Sequence, residues 1–282
     1  MADIDNQGTP RKGRIGPNTY YMRNGQLIAR VATNMRSPTR KGRTPQNMAS
    51  RTRIANVIHA WKSFQGELKG LFEPQKAGQT DYNVFMSVNR TNARVCLSKQ
   101  EVKNQYCVAD NFCVSMGQLT PPVQVREEEG WMVSDLACGE LEINAQTLVS
   151  DVGYALCKHN PLLLRQGDEV VFVSLRQYVD INTHAPMCDP RVARLPIRGY
   201  SETTMIELLR YQELVDCFCN HGGFLATPRR SDTLVAWVRV RPVEKHHPMV
   251  TTQSLVGTPP LIEEYTSEKH IEEAITSYGP LK

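Results

Sequence analysis

Two adjacent residues, Asn24 and Gly25, restrict the start of this chain more tightly than any other pair in it. Both tolerate positive φ, as a two-residue type I′ turn requires, and they sit between Thr19 to Met22 and Leu27 to Ala32. The stretch predicts a β-hairpin whose strands mix Tyr20, Met22, Leu27 and Val31 with Arg23 and Arg30. Around this hairpin the charge is segregated. Residues 1–53 hold Arg11, Lys12, Arg14, Arg23, Arg30, Arg36, Arg40, Lys41, Arg43, Arg51 and Arg53 against Asp3 and Asp5, a net charge of +9. The whole chain is +4, so residues 54–282 are −5.

Met1 to Pro17 is punctuated by Gly8, Pro10, Gly13, Gly16 and Pro17 and reads as an extended basic arm. Asn34 to Arg43 reads as a second basic loop, so two basic loops flank the folded hairpin. Thr44-Pro45 then opens a helix, because threonine caps a free N–H and proline at the first helical position loses only a hydrogen bond that was absent anyway. Ile54, Val57, Ile58, Trp61, Phe64, Leu68 and Leu71 recur at helical spacing, with Gly66 as a possible interruption. A shorter helix follows, capped by Thr80 or Asp81 and ended by Asn89 to Asn92.

Beyond Arg94 the texture is that of short strands: Val95 to Leu97, Tyr106 to Val108, Phe112 to Ser115, Val123 to Val125 and Glu140 to Ile143. A helix from about Ala145 to His159 stops at Asn160-Pro161. The unbroken Val170-Val171-Phe172-Val173 in Glu169 to Tyr178 predicts a strand buried on both faces. Pro186 to Pro196 is expected as a loop. Leu208 to Cys219 fits strand or helix, Thr233 to Val240 and Met249 to Val256 fit a hairpin around Glu244 to Pro248, and Ser267 caps a last helix. The expected fold class is α+β: a basic N-terminal arm, an Asn-Gly hairpin and an amphipathic helix, followed by one or two antiparallel β-rich, sandwich-like modules with a few helices. The expected divisions are 1–92, 93–199 and 200–282.

At 40% hydrophobic and 22% charged residues the chain has the composition of a folded protein. It lacks an apolar run of about 18 residues, and Met1 to Pro10 lacks the apolar core of a secretory signal, which predicts a cytoplasmic protein. The eight cysteines, none in a CxxC, are expected as buried free thiols.

Several short motifs together resemble the uncharacterised Bacteroidota domain-of-unknown-function family 6266. They are the hairpin with Arg23 and Arg30, Arg43-Thr44-Pro45-Gln46, Ser115-Met116-Gly117-Gln118-Leu119, Asn160 followed by Gly167-Asp168, Val250-Thr251-Thr252-Gln253, and Ile275 to Gly279. Thr251-Thr252-Gln253 departs from the Ser-Thr-Gln of the pattern. The resemblance implies a bacterial or phage origin and no assigned reaction.

For function, arginines spaced by Gly, Pro, Ser and Thr can follow a phosphate backbone, each contact releasing a counterion, and Tyr20 and Tyr21 can stack on bases. The expected nucleic-acid contacts, to RNA or DNA, are Arg11, Lys12, Arg14, Arg23, Arg30, Arg36, Arg40, Lys41, Arg43 and Arg51. The alternative is a structural subunit of a phage virion or other assembly, a homo-oligomer among them, whose arm docks on an acidic neighbouring surface. His184 and Cys188 with Cys217, Cys219 and His221 offer zinc-type donors at poor spacing, so neither metal nor cofactor is expected. Cys138, Ser115 and Ser174 lack a nucleophile motif, no phosphate-cradling glycine loop is present, and Glu127-Glu128-Glu129 and Glu263-Glu264 read as solvated turns; the expectation is a non-enzymatic protein.

Overall fold

The computed structural model describes residues 3–4, 10–15, 18–23, 26–31, 45–64, 66–74, 78–244 and 246–279. Contacts divide the chain into two compact units, residues 1–44 with residue 282, and residues 45–281.

The first unit is an antiparallel meander of β1 (Asp3–Ile4), β2 (Pro10–Ile15), β3 (Asn18–Arg23) and β4 (Gln26–Val31), paired in that order. Arg23 pairs with Gln26, as a two-residue turn requires, while Asn24 and Gly25 themselves lie outside the described residues. The expected extended arm is corrected here: residues 10–15 of it, Pro10 and Gly13 included, form a strand paired with the hairpin, with Gly13 opposite Tyr20 and Ile15 opposite Asn18. The second expected loop, residues 34–43, and Thr44 lie outside the described residues.

The second unit is α+β and is built on one sheet. Its strands β8 (Glu169–Val179), β9 (Pro186–Pro196), β12 (Thr233–Arg241) and β13 (Met249–Val250) run in the order β13-β12-β8-β9. Alternation divides its side chains between two cores. Val171, Val173 and Leu175, paired with Val238, Ala236 and Leu234, face α1 (Pro45–Ser63), α2 (Asp81–Asn92) and the turn residues Phe64, Leu68 and Leu71. Val170, Phe172, Val235 and Trp237 face the opposite way. There they meet α4 (Val149–His159) and a second sheet, ordered β10-β11-β7-β6. Its strands are β6 (Val125–Glu128), β7 (Trp131–Ala137), β10 (Cys219–His221) and β11 (Phe224–Pro228). The uninterrupted apolar run of β8 is therefore buried on both faces, as expected.

Residues 186–196, expected as a loop, are instead β9, paired with β8 along its whole length. The prolines explain the error and its resolution. β9 is an edge strand, and Pro186, Pro190 and Pro196 share one parity. The Pro186 carbonyl accepts from Cys107 N–H, away from β8, so all three prolines lack an N–H only on the side where the sheet needs none.

The reverse correction applies to Val95 to Leu97, Tyr106 to Val108 and Glu140 to Ile143, which form no strand. Side chains replace the missing ladder. On α1 the buried Asn56 donates to the Val108 carbonyl and accepts from its N–H, both at 2.8 Å, and His59 Nδ1–H donates to the Tyr106 carbonyl at 2.6 Å. Gln177 accepts from Ala109 N–H and donates to Cys107 and Met187 carbonyls. Asn220 does the same for Gly139 and Leu141. A buried backbone must be satisfied, and a polar side chain reaching in serves as well as a neighbouring strand.

Other boundaries shift. α1 ends at Ser63, and Gly66 at φ +90° turns the chain so that Phe64, Leu68 and Leu71 enter the core from a turn. The expected divisions at 92/93 and 199/200 fall inside the second unit, whose first core draws on Val57, Phe112, Val171 and Val250 together. Leu208 to Phe218 is largely helical, in α5 (Met205–Leu209), α6 (Gln212–Val215) and a 3-10 turn, and Cys219 begins β10. Thr80 caps α2, a five-residue α3 (Lys99–Lys103) follows it, α7 (Ile262–Thr266) leads to the chain end, and Ser267 caps α8 (Glu268–Thr276). All eight cysteines are free, six of them buried.

The polar residues of the short motifs act as locks. Ser115, on β5 (Cys113–Ser115), donates to the Thr251 carbonyl; Thr252 bonds both backbone groups of Gly117; Gln253, on β14 (Gln253–Ser254), donates to Val123. Asp168, 2% exposed, receives two hydrogen bonds from Arg241, at 2.9 and 2.7 Å. Arg239, 1% exposed, donates to the Leu163 and Pro121 carbonyls. Burial holds the Arg239 guanidinium below its usual pKa, and the bond to Asp168 raises that of Arg241.

Candidate nucleic-acid interface

The register of the N-terminal sheet sorts its residues by face. Arg14 pairs with Thr19, and Thr19 with Arg30, so the three form one lateral row. Two positions along, Tyr21 pairs with Ile28, and beyond it Arg23 pairs with Gln26 on the same face. Lys12, two residues before Arg14 on β2, belongs to that face and is opposite Asp3 on β1. The other face carries Ile15, Tyr20, Met22, Leu27, Ala29 and Val31, with Met22 directly opposite Leu27. By register the positions of Lys12, Arg14, Arg23 and Arg30 share one face with Tyr21, Ile28 and Asp3, so these basic positions gather on one face while apolar residues occur on both.

The two faces differ chemically. Arg30 is exposed, with its guanidinium carbon 6.0 Å from the centre of the Tyr21 ring. At an exposed site such a contact is worth about 0.5–1 kcal/mol, and it holds a cation and an aromatic plane side by side. On the apolar face Met22 is 53% and Leu27 39% exposed.

The register of this sheet does not extend to the remaining expected contacts. Arg11 stands where the pairing of β1 and β2 shifts register, between Lys12 and Pro10. Arg51 is exposed on α1, in the other unit. Arg36, Arg40, Lys41 and Arg43 lie outside the described residues. Thr19 and Gln26 join the face without having been singled out, although period-two alternation through the hairpin identifies them.

The other candidates are dispersed. His184 occupies the β8–β9 turn, Cys188 lies against the Cys107 carbonyl, Cys217 bonds the Glu213 carbonyl, and His221 stacks on Trp131 at 5.1 Å. Among the described residues no group of three His, Cys, Asp or Glu side chains could hold a metal ion. Burial pushes the Cys138 thiol up to about 11 and the Cys217 thiol up to about 12, the opposite of an activated nucleophile. Ser115 is committed to the Thr251 carbonyl, and Ser174 is buried on β8. Of the acidic run, Glu127 and Glu128 pair with Arg229 and Arg126, and Glu129-Gly130 is the turn of the β6–β7 hairpin. Among the described residues no helix is long and apolar enough to cross a membrane. Compared with protein-family models, curated proteins and solved structures, the chain matches none.

Proposed function

We propose that the protein binds the phosphate backbone of RNA or DNA through the basic face of its N-terminal sheet, without sequence readout and without catalysis. The observation that carries this reading is the common face of Lys12, Arg14, Arg23 and Arg30 around Tyr21, on a segment whose charge is +9 over residues 1–53. A sheet spaces such residues about 5 Å apart between strands and about 7 Å along them, a pitch that successive phosphates of an extended strand can meet, and the tyrosine offers a stacking plane. Arg36, Arg40, Lys41 and Arg43 would extend the contact. Action in the cytoplasm, or in a virion for a phage-derived chain, belongs to the same reading.

Four neutralised phosphates give a log–log salt slope of roughly −3 on single strands. Fluorescence anisotropy of a labelled oligonucleotide against the full chain, titrated at several salt concentrations, measures that slope; salt-independent binding or none contradicts the reading. The exposed apolar pair Met22 and Leu27 favours a second reading, in which the opposite face packs on another copy or a neighbouring subunit of an assembly. Mass measurement in solution separates the two, since a strict monomer with or without nucleic acid opposes the assembly.

A further inference from the structure

A cavity of about 420 Å³ opens on the second unit where α4, residues 163–168 and the end of β9 converge. The Gly167 N–H donates to the Ile197 carbonyl and the Ile197 N–H to the Asp168 carbonyl, which brings Arg165 and Gln166 beside Arg198 and Gly199. Tyr154, on α4, and Tyr200 line the same cavity and are 69% and 87% exposed. A Cβ on Gly199 would come within 2.7 Å of Gln166 Nε2, so the glycine leaves that amide its place at the cavity.

The charges at the rim are unevenly committed. Arg198 forms no ion pair among the described residues, and Arg165 reaches Asp168 only through Nε at 3.6 Å, with its side chain 65% exposed. Asp168 is already held by Arg241. Asp151 also lines the cavity and repels an anion from the α4 side, which leaves the side of Arg165 and Arg198 for one. A ligand that satisfies these walls needs a flat aromatic part, a dianionic part and a hydrogen-bonding edge for Gln166 and Asp151.

We propose that this cavity is a nucleotide site, with the base against Tyr154 and Tyr200 and the phosphate on Arg165 and Arg198. The volume falls within the range of small-molecule sites, and each half of the ligand meets a matching wall. The site lies on the second unit and stands or falls independently of the basic sheet. Its nucleotide can come from two sources, a free mononucleotide or an unpaired nucleotide of a strand, which share this chemistry.

Isothermal titration of the full chain with AMP, adenosine, ribose 5-phosphate and a 5′-phosphorylated hexanucleotide tests the proposal. AMP binding more tightly than either adenosine or ribose 5-phosphate supports a free nucleotide. Weak AMP binding with hexanucleotide affinity lowered by Tyr200→Ala supports a strand. In either case Tyr200→Ala and Arg198→Ala should each weaken the bound form roughly tenfold, as the loss of one stacked base or one charge-assisted hydrogen bond does. Both residues are at the surface, so an unchanged melting curve is expected. Ribose 5-phosphate or adenosine binding as well as AMP, or affinities that neither substitution moves, would overturn it.

Discussion

The N-terminal sheet and the central sheet of the second unit use the same antiparallel pairing and opposite chemistry. In the central sheet apolar side chains are buried on both faces, and two arginines of β12 turn inward: Arg239 and Arg241 are tied to Asp168 and to the carbonyls of Leu163 and Pro121. In the N-terminal sheet the register positions of Lys12, Arg14, Arg23 and Arg30 share one face, on which Arg30 lies against Tyr21, while Met22 and Leu27 are exposed on the other. Arginine in the first setting is a structural tie whose loss unfolds; in the second it is a free donor whose loss changes affinity. The same residue type is therefore not one signal. What separates the cases is whether backbone carbonyls and a carboxylate already occupy the guanidinium.

That contrast can be broken by measurement. The largest effect is expected for Asp168→Ala, which takes the buried carboxylate from the half-buried Arg241 and should lower unfolding free energy by about 2–4 kcal/mol in denaturant titration; a loss under about 1 kcal/mol would mean that the tie is dispensable. His59 comes next. Burial lowers its pKa below 6.5, so the folded state prefers the neutral ring that donates to Tyr106, and the unfolded chain binds the proton more readily. Stability from this group is present above pH 6.5 and is lost as pH falls below it toward the folded pKa. His59→Gln should flatten the pH dependence of the melting temperature between pH 7 and 5.5, and an unaltered profile would assign the slope to another group.

A smaller effect is expected at the β6–β7 turn. Glu129 sits at φ +45° beside Gly130 at +84°, a type I′ geometry occupied by a side chain that disfavours it. Glu129→Gly should stabilise by about 0.5–1 kcal/mol, read as a higher denaturant midpoint. The smallest effect on stability is expected in the N-terminal sheet, where Arg30→Ala should shift the melting curve of the full chain by no more than about 0.5 kcal/mol. A large loss there would place Arg30 in the structural class and weaken the proposed role.

Local signals made part of the fold legible. The Asn-Gly pair announced the hairpin, Thr80 and Ser267 announced their helices, and the apolar run of β8 announced burial on both faces. What sequence did not reveal depends on partners distant along the chain. Pro186, Pro190 and Pro196 look like loop punctuation until β9 is known to be an edge whose outward side they occupy. Val95 to Leu97 and Tyr106 to Val108 look like strands because their apolar content is that of strands, yet the hydrogen bonds of the first go to the Thr52 and Tyr265 carbonyls and those of the second to residues such as Asn56 and Gln177, about 50 to 70 positions away. The basic face was half legible: its residues were visible, but their division from Tyr20, Met22, Leu27 and Val31 follows from register. Tyr154, Arg165, Arg198 and Tyr200 carried no signal at all, since only the pairing of residues 167–168 with Ile197 brings them together.

The central claim is that one face of the N-terminal sheet, not its net charge, binds the nucleic acid. Arg30→Ala and Ala29→Glu test it most directly, because each lowers the net charge by one unit, at neighbouring exposed positions on opposite faces. In salt-titrated anisotropy, Arg30→Ala should weaken binding and lower the salt slope by about 0.7, while Ala29→Glu leaves the slope unchanged. Equal weakening by the two substitutions would contradict the account.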